Sequence, residues 1–220
     1  MDSWTTHFIN TTTCKDTGSP PDVIVVMGVS GAGKSPSQKA LGFVESWNGI
    51  LGGAIGGVAT GKLLANTIGC SFLDADDFHP QTNKEKMSKG IPLSEEDRMP
   101  WLETLRDMLR ENLENGRKTV LGCSALKRGY RDLLRRADEA YKAGCTDGKV
   151  RFVCLNAPKE VIATRLEKRA GEGQHFMPPS LLQSQLDSLE INGDGEVIVQ
   201  VDATQSPQVI VDSIRASMLI

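Results

Sequence analysis

The sequence predicts an α/β fold, a five-stranded parallel sheet with helices on both faces, and three observations lead there. Five short runs of apolar, mostly β-branched residues recur along the chain, stretches with apolar residues at helical spacing separate them, and a glycine-rich turn follows the first run and opens into Lys-Ser. Strands alternating with helices build parallel sheets, because each return to the same edge needs a crossover. Near-continuous apolar runs are read as strands covered on both faces.

The expected strands are Val23 to Met27, Ser71 to Asp74, Thr119 to Ser124, Val150 to Leu155 and Val197 to Val201. The clearest helix starts at Ser94, whose hydroxyl and the acidic Glu95, Glu96 and Asp97 form a capping-box-like first turn. Trp101, Leu102, Leu105, Met108, Leu109 and Leu113 share one of its faces, and Gly116 ends it. A second helix is expected from about Lys127 to Lys142, a third after Pro158, and a last one from about Pro207 to Met218.

With 39% hydrophobic and 24% charged residues in 220, the composition is that of an ordinary globular chain, which excludes wholesale disorder and a membrane bundle. A net charge of -3 argues against nucleic acid as the main partner, since polynucleotide binding needs a basic surface. The five cysteines lack CxxC pairing and fit reduced thiols, so the expected compartment is the reducing cytoplasm. Residues 1–21 are rich in Thr, Ser and Pro and read as a disordered tail, which leaves 22–220 as a single domain.

The string Gly28-Val29-Ser30-Gly31-Ala32-Gly33-Lys34-Ser35 has the context of a phosphate-binding loop: strand before it, helix after it. Its glycines let successive N–H groups turn toward phosphate oxygens. Lys34 is expected to reach the β and γ phosphates, and the Ser35 hydroxyl to help hold Mg2+. No Asn-Lys-x-Asp string follows, since Asn83-Lys84-Glu85-Lys86 lacks the final acid, so ATP is favoured over GTP.

The second strand runs into Asp74-Ala75-Asp76-Asp77-Phe78-His79-Pro80. This places carboxylates at the carboxyl edge of the sheet, where ligands of open α/β folds bind. Phosphorylation of a hydroxyl needs one carboxylate to orient or deprotonate the attacking oxygen and another near the metal, and Asp76 and Asp74 can fill those roles. A plain acidic helix cap is the competing reading.

These strings, with Asn83 through Lys86-Met87, Asp97-Arg98, Pro100-Trp101-Leu102, Cys123-Ser124-Ala125-Leu126-Lys127 and His175-Phe176-Met177, resemble the gluconate kinase family over about Val23 to Val201. The resemblance implies a nucleoside-monophosphate-kinase-like P-loop fold, ATP and Mg2+ as cofactors, and transfer of the γ-phosphoryl group to the 6-hydroxyl of D-gluconate. The other readings weighed are a shikimate- or nucleotide-type small-molecule kinase and a catalytically impaired nucleotide-binding variant.

A polyhydroxy carboxylate calls for a cation and a row of polar groups, for which His79, Arg98, Ser124, Lys127 and Gln185 are suitable types. Arg98 has Glu95 as a competing partner; Trp101 reads as core and Cys123 as a small buried hydrophobe. Between Arg165 and Met177 a basic segment with two glycines looks like a lid, in which Arg165 and Arg169, four apart, would close over the phosphates. The expected partners are the small-molecule substrate and, at most, a second copy in a homodimer, with no nucleic acid and no membrane.

One stretch departs from the family pattern. After Ser35 the family continues directly toward a string like Gly61-Lys62-Leu63-Leu64-Ala65, and the surplus here is Pro36 to Val58, a 23-residue insertion. Its six glycines (Gly42, Gly49, Gly52, Gly53, Gly56 and Gly57) cost about 1 kcal/mol each inside a helix, which predicts a break between a helix from Gly33 to about Trp47 and a second piece from Ala59 to Ile68.

Overall fold

The computed structural model describes residues 20–29, 60–143, 148–171, 182–191 and 196–220, and the side chains of 168–171 are left out. Ser30 to Ser35, the surplus Pro36 to Val58, His175 and the greater part of the N-terminal tail therefore lie outside the described residues.

The strands are β1 (Val23–Met27), β2 (Ser71–Asp74), β3 (Thr119–Gly122), β4 (Val150–Asn156) and β5 (Val199–Asp202). Seven helices accompany them among the described residues: α1 (Thr60–Ile68), α2 (Gln81–Ser88), α3 (Glu95–Glu114), α4 (Arg128–Arg135), α5 (Lys159–Gly171), α6 (Leu182–Asp187) and α7 (Pro207–Met218). A one-turn 3-10 helix, Ala75–Phe78, follows β2. All pairings are parallel and the strand order is β2-β3-β1-β4-β5, so the five-stranded parallel sheet is present as expected.

Alternation along the fully buried β1 divides the core in two. Ile24 and Val26 pack with Leu64 of α1, Ile162 and Leu166 of α5, and Ile210 and Ile214 of α7. Val23, Val25 and Met27 point the other way, onto Trp101, Leu102, Leu105 and Leu109 of α3 and Leu133 and Leu134 of α4. Each of these fully buried leucines contributes roughly 1.5–3 kcal/mol relative to an exposed one, which fixes α3 and α4 against the sheet.

Helix α3 begins as its residues predict. The Asp97 N–H donates to the Ser94 hydroxyl and the Ser94 N–H donates to the Asp97 carboxylate, a reciprocal capping box. It ends at a left-handed Gly116 (φ 64), where the Gly116 N–H reaches the Leu113 carbonyl and the Arg117 N–H reaches that of Asn112.

Three boundaries differ from expectation. Helix α4 stops at Arg135, not Lys142, because the chain tightens through i,i+3 bonds to Leu134 and Arg135, and the Asp138 carboxylate then takes the N–H groups of Ala140 and Lys149. Strand β3 stops at Gly122, since Ala125 adopts a left-handed φ of 42 that ends the extended run. Strand β5 starts at Val199, paired with Val153, and leaves Val197 exposed.

Candidate active site

The carboxyl ends of β1, β2 and β3 lie side by side and bring three motifs together. From β1, Gly28 enters the phosphate-loop string at φ 142, a conformation that L side chains rarely adopt. Its N–H donates to the Ser124 carbonyl at 3.4 Å, which ties the start of that string to the Cys123–Lys127 loop after β3. Val29 is buried in the core.

From β2, Asp74 caps the 3-10 turn: its Oδ1 accepts the Asp76 N–H at 3.1 Å. The helix-cap reading is therefore realised at Asp74, and its second carboxylate oxygen has no hydrogen bond to another described residue. Asp76 is half exposed, with Oδ1 4.0 Å from His79 Nε2.

His79 is buried and stacks on Trp101. Asn83 Nδ2 donates to His79 Nδ1 at 3.5 Å, which leaves the ring proton on Nε2, facing Asp76. Burial, then the nearby Arg98 and Lys84 charges, lower its pKa from 6.5 to about 4, so the ring is neutral at pH 7. Trp101 donates its indole N–H to the Ala75 carbonyl at 2.8 Å, and Asn83 donates to the Asp97 carbonyl at 2.8 Å. Lys86 pairs with the Asp97 carboxylate at 2.7 Å. The strings Asp74–Pro80, Asn83–Met87 and Asp97–Leu102 thus form one scaffold around the imidazole.

The cations have other partners than expected. Lys127 caps α4 without a side-chain cap bond and pairs with Glu95, and Tyr130 donates its hydroxyl to the same carboxylate at 2.8 Å. Lys127 and Tyr130 together hold the Glu95 carboxyl below its ordinary pKa; burial, then Glu95, raise that of the Tyr130 hydroxyl. Arg98 does not pair with Glu95 by hydrogen bond; its Nε donates to the Leu93 carbonyl at 3.3 Å and its guanidinium lies 6.0 Å from the Tyr130 ring centre. Arg98, Lys127, Tyr130 and Glu95 make one mixed cluster (Lys127 to Tyr130 ring 5.7 Å).

The remaining predicted residues are carried by other elements. Arg165, on α5, donates Nη2 to the Ala203 carbonyl at 2.9 Å beyond β5, and its Nη1 is buried with no hydrogen-bond partner among the described residues. Arg169 belongs to α5, but its side chain is outside the described ones. Gln185 sits on the short α6.

Sequence reasoning missed a cavity of about 410 Å³ at the ends of β4 and β5, lined by Asn156, Ala157, Pro158, Gln200, Val201 and Asp202. Only strand order could have revealed it. Among the described residues no cluster of three or more His, Cys, Asp or Glu side chains is arranged to hold a metal, and no helix is long and apolar enough to cross a membrane.

The family described as AAA domain matches residues 58–191. A curated gluconokinase of Arabidopsis thaliana is 47% identical over 193 residues, covering 87% of this chain and 89% of its own length. The chain belongs to the gluconokinase family. A probable gluconokinase of Mus musculus is 41% identical, covering 84% of this chain and 91% of its own. The crystal structure of a gluconokinase from Sinorhizobium meliloti 1021 superposes with a TM-score of 0.66 at 38% identity, covering 90% of this chain and 92% of that one. Gluconokinase membership makes the fold a P-loop kinase fold and the chemistry phosphoryl transfer to an alcohol, with ATP as the donor the family implies.

Proposed function

We propose that this chain transfers the γ-phosphoryl group of ATP, in the presence of Mg2+, to the 6-hydroxyl of D-gluconate, giving 6-phospho-D-gluconate. The observation that supports this reading is the bond from Gly28 to Ser124, which joins the start of the phosphate-loop string to the loop after β3 that ends at Lys127.

Two features support the fit to ATP. The positive φ of Gly28 matches a turn of main chain toward a phosphate chain, and the orphaned, buried Arg165 Nη1 suits an anion. The string from Gly28 through Val29, Ser30, Gly31, Ala32 and Gly33 to Lys34 and Ser35 would cradle the phosphates, with Lys34 as their cation and Arg165 and Arg169 adding charge. The cavity between β4 and β5, across β1 from the acidic motif, is assigned to the rest of the nucleotide.

The donor set suits Mg2+, which keeps several waters and takes one or two protein oxygens beside the phosphates. Asp74 and Ser35 are assigned to it. Bound there, the ion would offset charge on the transferring phosphoryl group.

At the acceptor side, Asp76 receives or orients the hydroxyl proton, and the neutral His79 offers Nε2–H to a substrate oxygen beside it. Lys127 and Arg98 attract the sugar-acid carboxylate, in competition with Glu95. Ser124 and Gln185 bind hydroxyls. Gluconate-dependent ADP release by the purified chain tests the proposal; it must vanish with Lys34→Ala, and release that ignores gluconate would reject it.

A further inference from the structure

Arg131, on α4, has no exposed surface, yet all five of its N–H groups have acceptors. Nη1 donates to the Ala125 and Leu126 carbonyls at 3.0 and 2.8 Å. Nη2 donates to the Glu190 carbonyl at 2.6 Å, and the fork closes on Glu196 through Nε at 2.8 Å and Nη2 at 2.5 Å. Glu196 is equally buried and lies 2.7 Å from Arg135 as well, which keeps a second partner in Asp132 at 3.0 Å. The Glu190 N–H also donates to the Leu126 carbonyl, at 2.9 Å.

This grip falls on a strained point. Ala125, between Ser124 and Lys127, holds a left-handed φ of 42, a conformation unfavourable for a non-glycine residue. A buried ion pair is seldom more stabilising than an apolar pair of the same volume, so stability alone is a weak reason for Arg131. No acceptor or nucleotide group is needed to complete its bonds.

We propose that Arg131, locked in place by Glu196, is a positioning residue that holds the Ser124–Lys127 loop in its acceptor-binding shape and couples it to the chain after α6. This rests on assigning Ser124 and Lys127 to the acceptor. Arg131 would act on affinity for gluconate more than on affinity for ATP, because its bonds fall on Ala125 and Leu126, beyond the Ser124 carbonyl that holds Gly28.

The test is Arg131→Met combined with Glu196→Met in the full chain, which removes both charges together while Arg135 keeps Asp132. Melting temperature and the two KM values are read. The expected result is a folded protein with KM for gluconate raised about tenfold or more and KM for ATP within about twofold, since a displacement of about 1 Å is enough for losses of that order. Arg131→Lys, which keeps a charge toward Glu196 but loses the fork, is expected to fall between. A folded variant with unchanged gluconate KM, or one whose two KM values rise in parallel, overturns the proposal; if the double variant does not fold, Arg131→Lys decides by the same criteria. Failure of the acceptor assignment itself looks different: the unmodified chain would then show no gluconate-dependent turnover.

Discussion

The imidazole of His79 lies flat on the indole of Trp101, with ring centres 4.0 Å apart and planes 17° from parallel. Trp101 is in turn pinned to the Ala75 carbonyl, so the stack fixes the 3-10 turn that carries Asp76. An aromatic residue placed in the core thereby orients a polar ring of the candidate site.

The stack has a pH consequence. His79 in the folded chain titrates at about 4, below its ordinary 6.5, so between these values the unfolded chain binds a proton that the folded chain does not. Its contribution to stability is complete above pH 6.5 and is lost as pH falls toward 4. Melting temperatures between pH 6.5 and 4.5 are expected to drop less steeply for His79→Phe, which keeps a stacked ring without a proton to take. Equal slopes would contradict a buried neutral imidazole.

Trp101→Phe removes the bond to Ala75 and part of the platform. A loss of about 1–3 kcal/mol in stability is expected, from an unpaired buried carbonyl. KM for gluconate should rise more than KM for ATP, because the indole stacks on His79 and holds the Ala75 carbonyl, both in the turn that carries Asp76. A drop in stability with both KM values unchanged would separate the stack from binding.

Lys127→Met tests the mixed cluster. The Lys127–Glu95 pair is largely exposed, so its loss is expected to change stability by less than about 1 kcal/mol. Removal of a carboxylate anchor should raise KM for gluconate about tenfold or more, a loss of about 1.4 kcal/mol in binding. Glu95→Gln, which frees Lys127 from its internal carboxylate, should lower it. Identical gluconate kinetics in both variants would remove Lys127 from the site.

The surplus Pro36 to Val58 lies outside the described residues, and the AAA-domain match begins at residue 58, where that stretch ends. On the proposal that 36–58 is an insertion after the phosphate-loop string, a variant lacking it is expected to melt higher or to bind ATP more tightly. Unchanged melting and unchanged ATP kinetics would refute a cost of the insertion.

Much of this was legible in the sequence because it is written locally. Alternating and continuous apolar runs mark β1 to β5, Ser94 and Gly116 carry the caps of α3, and Gly28 and the Asp74–Pro80 string mark the chemistry by residue type and spacing. The partners of the cations were not legible. Glu95 reaches Lys127 across 32 positions and Glu196 reaches Arg131 across 65, and a bond between distant residues leaves no local pattern. Two arginines one turn apart on the apolar face of α4 were the available hint.

By itself the sequence determined the fold class and the family and named candidate residues for phosphoryl transfer, since those follow from short-range periodicity and from motif chemistry. Tertiary structure alone decided that β3 lies between β1 and β2, so that Gly28, Ser124 and Asp76 share one edge, and that Arg131 is locked under Ala125. The physical reason is that strand order is set by which buried faces pack against which helices, a choice made by the whole core and by no single segment.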